Sequence, residues 1–209
     1  MTEQAREEYD RLAPVYDRRW DRYVRISVER AVSAVALDGH ERVLDVGCGT
    51  GVLLEELRRR HPGLELHGTD PSEGMLEIAR KRCGADVSLA HGRAERLPFA
   101  GDDFDVVFSV SAMHYFADPP QAIAEMRRVL RRGGRVVVVD WCADFLGMRL
   151  FARWLRLRGG ALGRIHRAEE LNGLLKDHGF RTDRIERFRI RPLWGMMTVV
   201  AGLAEGKGP

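Results

Sequence analysis

Lysine is scarce in this chain of 209 residues: only Lys81, Lys176 and Lys207 occur. None is placed to pair with a tyrosine, which argues against a nicotinamide-dependent oxidoreductase. Cysteine is scarce too, and Cys48, Cys83 and Cys142 are odd in number, widely spaced and without a CxxC or histidine partner. Neither a disulfide framework nor a zinc site is supported, and no metal is expected. The longest apolar runs, at 136–139 and around 196–201, fall far short of the ~20 residues that cross a bilayer. Residues 1–11 mix acids and bases with no apolar segment, so they do not read as a secretory signal, and the chain is expected in the cytoplasm. Repeats and low-complexity stretches are missing as well. Aromatic residues are few in the basic region and follow no base-stacking pattern, so nucleic acid is not an expected partner.

What is present describes one domain of ordinary size, 44% hydrophobic and 31% charged. The net charge of +3 is unevenly spread: residues 127–167 hold eleven arginines against only Asp140 and Asp144. Such a region is either a solvated face or a place to meet an anion. From Arg42 onward, short β-branched runs alternate with helical patterns, the signature of βαβ units. Strands are predicted at 42–46, 64–69, 86–90, 104–110 and 134–140, near-continuously apolar as parallel strands covered on both faces should be. Helices fit 52–60, 74–82 and 120–131, the last opening with proline and closing at Gly133 and Gly134. Before this core, 7–17 and 23–35 look helical, with Pro14 breaking between them. After it come an amphipathic stretch at 145–158, a helix at 168–178 ended by Gly179, and two strand-like runs at 181–190 and 194–203 expected to pair as a hairpin. The chain thus divides into an N-terminal helical cap (1–40), an α/β core (41–140), an insertion (141–180) and a C-terminal hairpin (181–203).

The sharpest local signal is VLDVGCGTG at 43–51, a buried strand running into a glycine-rich turn and then a helix. Glycine lets the backbone approach a ligand closely, and such turns serve ligands held beyond the carboxyl ends of strands. The dinucleotide fingerprint would place its third glycine where Val52 stands; here it comes early, at Gly51, which disfavours a pyrophosphate cofactor. At this point the chain resembles the class I S-adenosylmethionine-dependent methyltransferases, whose first motif reads like VLDVGCGTG. The resemblance extends to GTDPSEGML at 68–76, GRAERLPF at 92–99, and FDVV at 104–107 followed by SVSAMH at 109–114, covering roughly residues 9–140. It implies a Rossmann-like, seven-stranded, mostly parallel sheet whose last strand is antiparallel, with helices on both faces.

By the same resemblance, Asp45 and the turn Gly47, Cys48, Gly49 and Gly51 hold the methionine end of S-adenosylmethionine, and Asp70 takes both ribose hydroxyls. An acid at a strand end can accept two charge-assisted hydrogen bonds from a diol. The plainer reading of Asp70 and Pro71 is a strand exit before a helix N-cap at Ser72. Met75 is read as an apolar wall beside adenine or as core filling; Ala94 and Glu95 resemble the adenine-edge pair, while Arg93 stands where the family commonly has an aspartate. Tyr9 and Tyr16 resemble a segment folded over the cofactor, Tyr16 being the preferred lid and Tyr9 facing the acceptor; alternatively both only pack the cap.

Val110 and His114 follow the fourth strand, where the resemblance implies that cofactor and acceptor lie next to one another. His114 is a candidate general base, since its ordinary pKa lies near working pH, or it only shapes the pocket. Asp140, Trp141 and His166 are further acceptor-side candidates, at or beyond the end of the fifth strand. Methyl transfer asks mainly for proximity, so the want of an obvious catalytic dyad is no objection. In the stretch 145–158, Arg149, Arg153 and Arg156 share a helical face while Leu146, Leu150, Trp154 and Leu157 lean the other way; this could lid an acceptor pocket or lie peripherally on an anionic membrane. The expected function is methyl transfer to a small-molecule acceptor such as a quinone, a lipid or a secondary metabolite, with S-adenosylhomocysteine as product. The alternative is a non-catalytic, S-adenosylmethionine-binding regulatory homologue.

Overall fold

Alternation along the buried strands sends neighbouring side chains to opposite faces of one sheet. In β1 (Arg42–Val46), Val43 joins the core on one face while Leu44 and Val46 join the other. The same split recurs in β4 (Phe104–Val110) and in β5 (Leu130–Trp141), where Val137 and Val139 face one side and Val136 and Val138 the other. The computed structural model describes residues 3–158 and 162–204. Its seven strands run in the order β3-β2-β1-β4-β5-β7-β6, with β2 at Glu65–Asp70, β3 at Ser88–His91, β6 at Phe180–Arg191 and β7 at Trp194–Leu203. Strands β1 to β5 pair in parallel; β7 is antiparallel to β5 on one side and to β6 on the other. The expected Rossmann-like sheet with a reversed last strand is therefore present, and the C-terminal runs form the expected hairpin.

Helices cover both faces. One side carries α1 (Glu3–Val32), α2 (Val52–Arg60), α3 (Glu73–Cys83) and α5 (Leu146–Leu157). The other carries α4 (Pro119–Val129) and α6 (Ala168–Asp177), through Ile123, Met126, Leu171 and Leu175. The site lies at the carboxyl ends of β1, β2 and β4, where the strand order departs from chain order and the connections diverge to opposite sides.

Two sequence expectations need correction. The cap is one continuous helix, with Pro14 inside it. Proline removes the bond its N–H would make to the Asp10 carbonyl and costs ~3 kcal/mol in a helix interior. Here each half is tied down separately. The Asp10 carboxylate accepts from Ser72 Oγ (2.6 Å) and the Gly74 N–H (3.1 Å). Asp17 accepts from Thr50 Oγ1 (2.7 Å) and pairs with Arg82 (2.5 Å). The second correction is at α4, which stops at Val129 rather than 131, because Leu130 already pairs with Phe104 and opens β5.

Candidate active site

The turn after β1 keeps its glycines because the backbone there is left-handed: φ is +79° at Gly47, +52° at Gly49 and +80° at Gly51. Their surroundings differ. A Cβ on Gly47 would fall 2.5 Å from the Ala112 Cβ, and one on Gly51 would fall 2.9 Å from Cys83 Sγ, so these two serve packing. A Cβ on Gly49 would meet nothing within 4 Å, and that open side belongs to a cavity. The turn is fastened to β2 by the N–H groups of Gly47 and Cys48, both donating to the Thr69 carbonyl (2.8 and 3.1 Å).

Beneath α1, that cavity is lined by Asp45, Cys48, Asp70, Pro71, Met75, Ala94 and Val110 together with Gly47 and Gly49, each a residue singled out in the sequence. Tyr9 and Tyr16 close it from the helix, seven residues apart and on one face, with their rings 5.8 Å from each other. Gly51 supports the turn from behind, and Glu95 stands outside the lining. Glu95 accepts from the N–H groups of Ala117 (2.8 Å) and Asp118 (3.4 Å) and pairs with Arg93 (3.4 Å), so it anchors the loop before α4 instead of facing the cavity. Arg93 itself reaches the lining.

Two carboxylates face the cavity floor. Asp70 takes one N–H on each oxygen, from Gly49 (3.0 Å) and from Ser72 (2.8 Å). Burial nonetheless pushes its pKa up to about 6, against the pull of those two donors. Ser72 also caps α3, its Oγ accepting from the Met75 N–H (3.2 Å), so Asp70 ends the strand and faces the cavity at the same point. Asp45 is 2% exposed, and its Oδ1 has no hydrogen-bond partner. Burial, and then the charge of Asp70, push its carboxyl up to about 8. Met75 is both wall and core, at 1% exposure. Cys48 stays a thiol, its pKa raised well above the usual value by burial and by both aspartates.

The remaining candidates gather beside the cavity. Asp140 holds His114 twice, accepting from its backbone N–H (3.1 Å) and contacting Nδ1 very closely, and also accepts from the Trp141 N–H (2.6 Å). His114 stacks on Trp141 (4.2 Å, 15°), whose indole donates to the Tyr23 hydroxyl (2.8 Å). None of His114, Asp140 and Trp141 lines the cavity; Tyr115, whose ring lies 4.3 Å from that of His114 and 5.1 Å from that of Tyr9, does. His166 also lies apart: its carbonyl accepts from the Ala143 N–H (2.8 Å), and burial lowers its pKa. Tyr115, Asp10, Asp17 and Thr50 were not singled out from the sequence. The signal that could have found part of this set is the seven-residue spacing of Tyr9, Tyr16 and Tyr23, repeated by Asp10 and Asp17. It marks one helix face only if the helix runs through Pro14.

Among the described residues no group of histidine, cysteine, aspartate and glutamate could hold a metal, and no helix is long and apolar enough to cross a membrane. Comparison with known proteins agrees with the sheet and the turn. The solved S-adenosylmethionine-dependent methyltransferase from Thermotoga maritima matches 93% of this chain and 98% of its own, with a TM-score of 0.77 at 24% identity. The cyclase SpnF matches 89% and 82% with a TM-score of 0.70, also at 24% identity, so the fold by itself does not dictate the reaction. Sequence is more specific. A demethylmenaquinone methyltransferase from Deinococcus radiodurans is 37% identical over 164 residues, 72% of this chain and 68% of that protein. Its counterpart in Thermotoga maritima is 36% identical over 63% of this chain and 59% of its own length. A ubiquinone biosynthesis O-methyltransferase from Ruegeria sp. is 29% identical over 73% and 66%. The chain thus spans about two thirds of these curated relatives or somewhat less. A family model described as a methyltransferase domain matches residues 44–138, the stretch running from the third residue of β1 to late in β5 that carries the turn and both floor carboxylates. On these matches, the chain belongs to the methyltransferase domain family of S-adenosylmethionine-dependent enzymes.

Proposed function

We propose that the cavity under α1 binds S-adenosylmethionine and that the chain methylates a small aromatic acceptor of the hydroquinone class. The observation that carries the cofactor reading is the buried, unpartnered Asp45 Oδ1 on the cavity floor. A buried acceptor without a donor costs about 1–3 kcal/mol, and a ligand ammonium group would complete it. The other residues fit the same group. A carboxylate has about four acceptor sites; Asp70 uses one on each oxygen for backbone N–H groups, which leaves room for a ribose diol. Pro71, Met75 and Ala94 offer an apolar wall for a flat base, and the open side of Gly49 lets backbone and ligand approach. When bound, the cofactor supplies an electrophilic methyl group on a sulfonium.

The chain's own residues then bind, orient and exclude water. Tyr9, Tyr16 and Tyr115 roof the cavity, and burial raises all three phenols, so at neutral pH they remain protonated: they can donate hydrogen bonds and present ring faces. Acceptor contacts are therefore assigned to Tyr9 and Tyr115. Asp140 and His114 are assigned a positioning role, holding the loop that presents Val110, Ala112 and Tyr115, with Trp141 stacked behind the imidazole. The hydroquinone class rests on the relatives from Deinococcus, Thermotoga and Ruegeria and on this aromatic roof.

Calorimetric titration with S-adenosylmethionine, S-adenosylhomocysteine and, as controls, nicotinamide dinucleotides tests the cofactor; methyl release to demethylmenaquinone with a short side chain tests the acceptor. Selective binding of the first two and turnover on the quinol are expected. Binding without turnover on any hydroquinone would defeat the acceptor class and favour a regulatory homologue. Binding of a dinucleotide alone would defeat the cofactor.

A further inference from the structure

Helix α5 carries its apolar residues on two faces, and only one is used. Met148 and Ala152 are each 1% exposed and pack on the core. Leu146, Leu150, Trp154 and Leu157 are 60, 60, 48 and 77% exposed, and their spacing of four, four and three residues sets them in one narrow stripe turned away from the protein. Leu193, 77% exposed in the turn between β6 and β7, prolongs the stripe, since a Cβ on the adjoining Gly147 would lie 3.3 Å from the Leu193 Cβ. Arg149, Arg153 and Arg156 border it on one side and Arg158 on the other. From residue 145 to residue 167 there are six arginines and no carboxylate. Arg149, Arg153, Arg156 and Arg158 make no ion pair among the described residues.

We propose that this face of α5 seats the protein on an anionic lipid bilayer. A contiguous exposed apolar row marks an interaction surface, and its occupant must be apolar at the centre and anionic at the rim. A second copy of this chain fails the second condition, because an isologous contact would set the same arginines against each other. An anionic bilayer meets both: leucines and the indole enter the acyl boundary while guanidinium groups take phosphate oxygens, often two at a time. The inner side of the helix links this face to the site. Phe151 stacks on Trp154 (5.9 Å, 18°) and touches Trp141 (5.8 Å), which in turn stacks on His114 beside the cavity roof. A continuous row of packed aromatic rings therefore joins this face of α5 to Tyr115 in the cavity roof. The docking claim stands without the acceptor reading, because its test contains neither acceptor nor cofactor.

Flotation of the full chain with phosphatidylcholine vesicles, with and without phosphatidylglycerol, reads the interaction directly. Binding is expected only with phosphatidylglycerol and should weaken as salt is raised. The triple variant R149Q/R153Q/R156Q should partition roughly 100-fold more weakly, at about fivefold per basic residue near an anionic surface, and L150S/W154S on the order of tenfold or more. Trp154 is the exposed indole, so brominated phosphatidylglycerol should quench the wild-type fluorescence and leave Trp154→Phe largely unquenched, a readout that does not depend on the multiple variants folding. Equal binding to neutral vesicles, no binding at all, or binding and quenching unaltered by these substitutions would overturn the proposal. So would a concentration-dependent dimer in sedimentation that L150S/W154S abolishes, which would make the occupant a second copy.

Discussion

Protonation of Asp45 should govern ligand affinity. Its carboxyl is raised to about 8 by burial, with the neighbouring Asp70 charge as the lesser cause. At pH 7 such a group holds its proton in about nine molecules of ten. A cationic ligand group on the cavity floor favours the carboxylate, so binding must expel that proton. The linkage sign then follows: affinity rises with pH, by about tenfold per unit well below pH 8, levels off above it, and changes by roughly 50-fold between pH 6 and 8. Calorimetry of S-adenosylmethionine in buffers of different ionisation enthalpy counts the proton directly, and about 0.9 should be released at pH 7. Asp45→Asn cannot titrate there; its Kd should be weaker at pH 8 and flat from pH 7 to 8, above the titration of Asp70 at about 6. A flat wild-type profile, or a slope that survives in Asp45→Asn, would refute the reasoning. Stability without ligand should move the other way. An acid whose folded pKa lies above its unfolded value of 3.8 contributes fully below that value and loses the contribution as pH rises through about 8. The wild-type Tm should accordingly fall between pH 5 and 8 by more than that of Asp45→Asn.

The two turn glycines should separate packing from binding. Gly51→Ala puts a Cβ 2.9 Å from Cys83 Sγ and 3.3 Å from Ala79 Cα at a φ of +80°, and should cost about 1–3 kcal/mol in thermal or denaturant unfolding. Gly49→Ala meets no atom within 4 Å at a φ of +52°; it should cost only about 1–2 kcal/mol of stability for the left-handed backbone and act chiefly by lowering cofactor affinity. Asp17→Ala removes the acceptor for Thr50 Oγ1 and the partner of Arg82, so α1 should release the cofactor on the order of tenfold faster in stopped-flow, matching the loss of about 1–2 kcal/mol in hydrogen bonding. For His114→Asn, a positioning role predicts lower kcat with the pH profile of kcat unchanged in shape, whereas loss of a titrating limb would make His114 the base.

Legibility followed the range of the forces involved. Strands β1 and β4 could be read to the residue because their central residues are buried on both faces and almost wholly apolar. The glycine turn was readable because its conformation excludes a Cβ within the turn itself. Pro14 misled for the converse reason. Its cost is local and visible, while the compensating bonds of Asp10 and Asp17 reach residues more than thirty positions away. Residues 130–133 read as a helix end and belong to a strand, because the partner that claims Leu130 is Phe104, far back in the chain.

Glu95 follows the same logic, since the two N–H groups that turn it out of the cavity lie twenty-two and twenty-three residues downstream. Its neighbours Arg93 and Ala94 both reach the lining that Glu95 leaves. Helix α5 sharpens the point. A period of 3.6 reveals that an apolar stripe exists, but Met148 and Ala152 are as apolar as Leu150 and Trp154, and pattern alone cannot say which set meets the core. The sheet decides it: β7 and the Trp141 ring take the side that carries Met148, Phe151, Ala152 and Leu155, and a second stripe of large apolar residues is left to face outward. A large apolar stripe left exposed is unfavourable for a helix whose only neighbour is its own domain. It becomes favourable once a second apolar phase, rimmed by negative charge, lies beyond it.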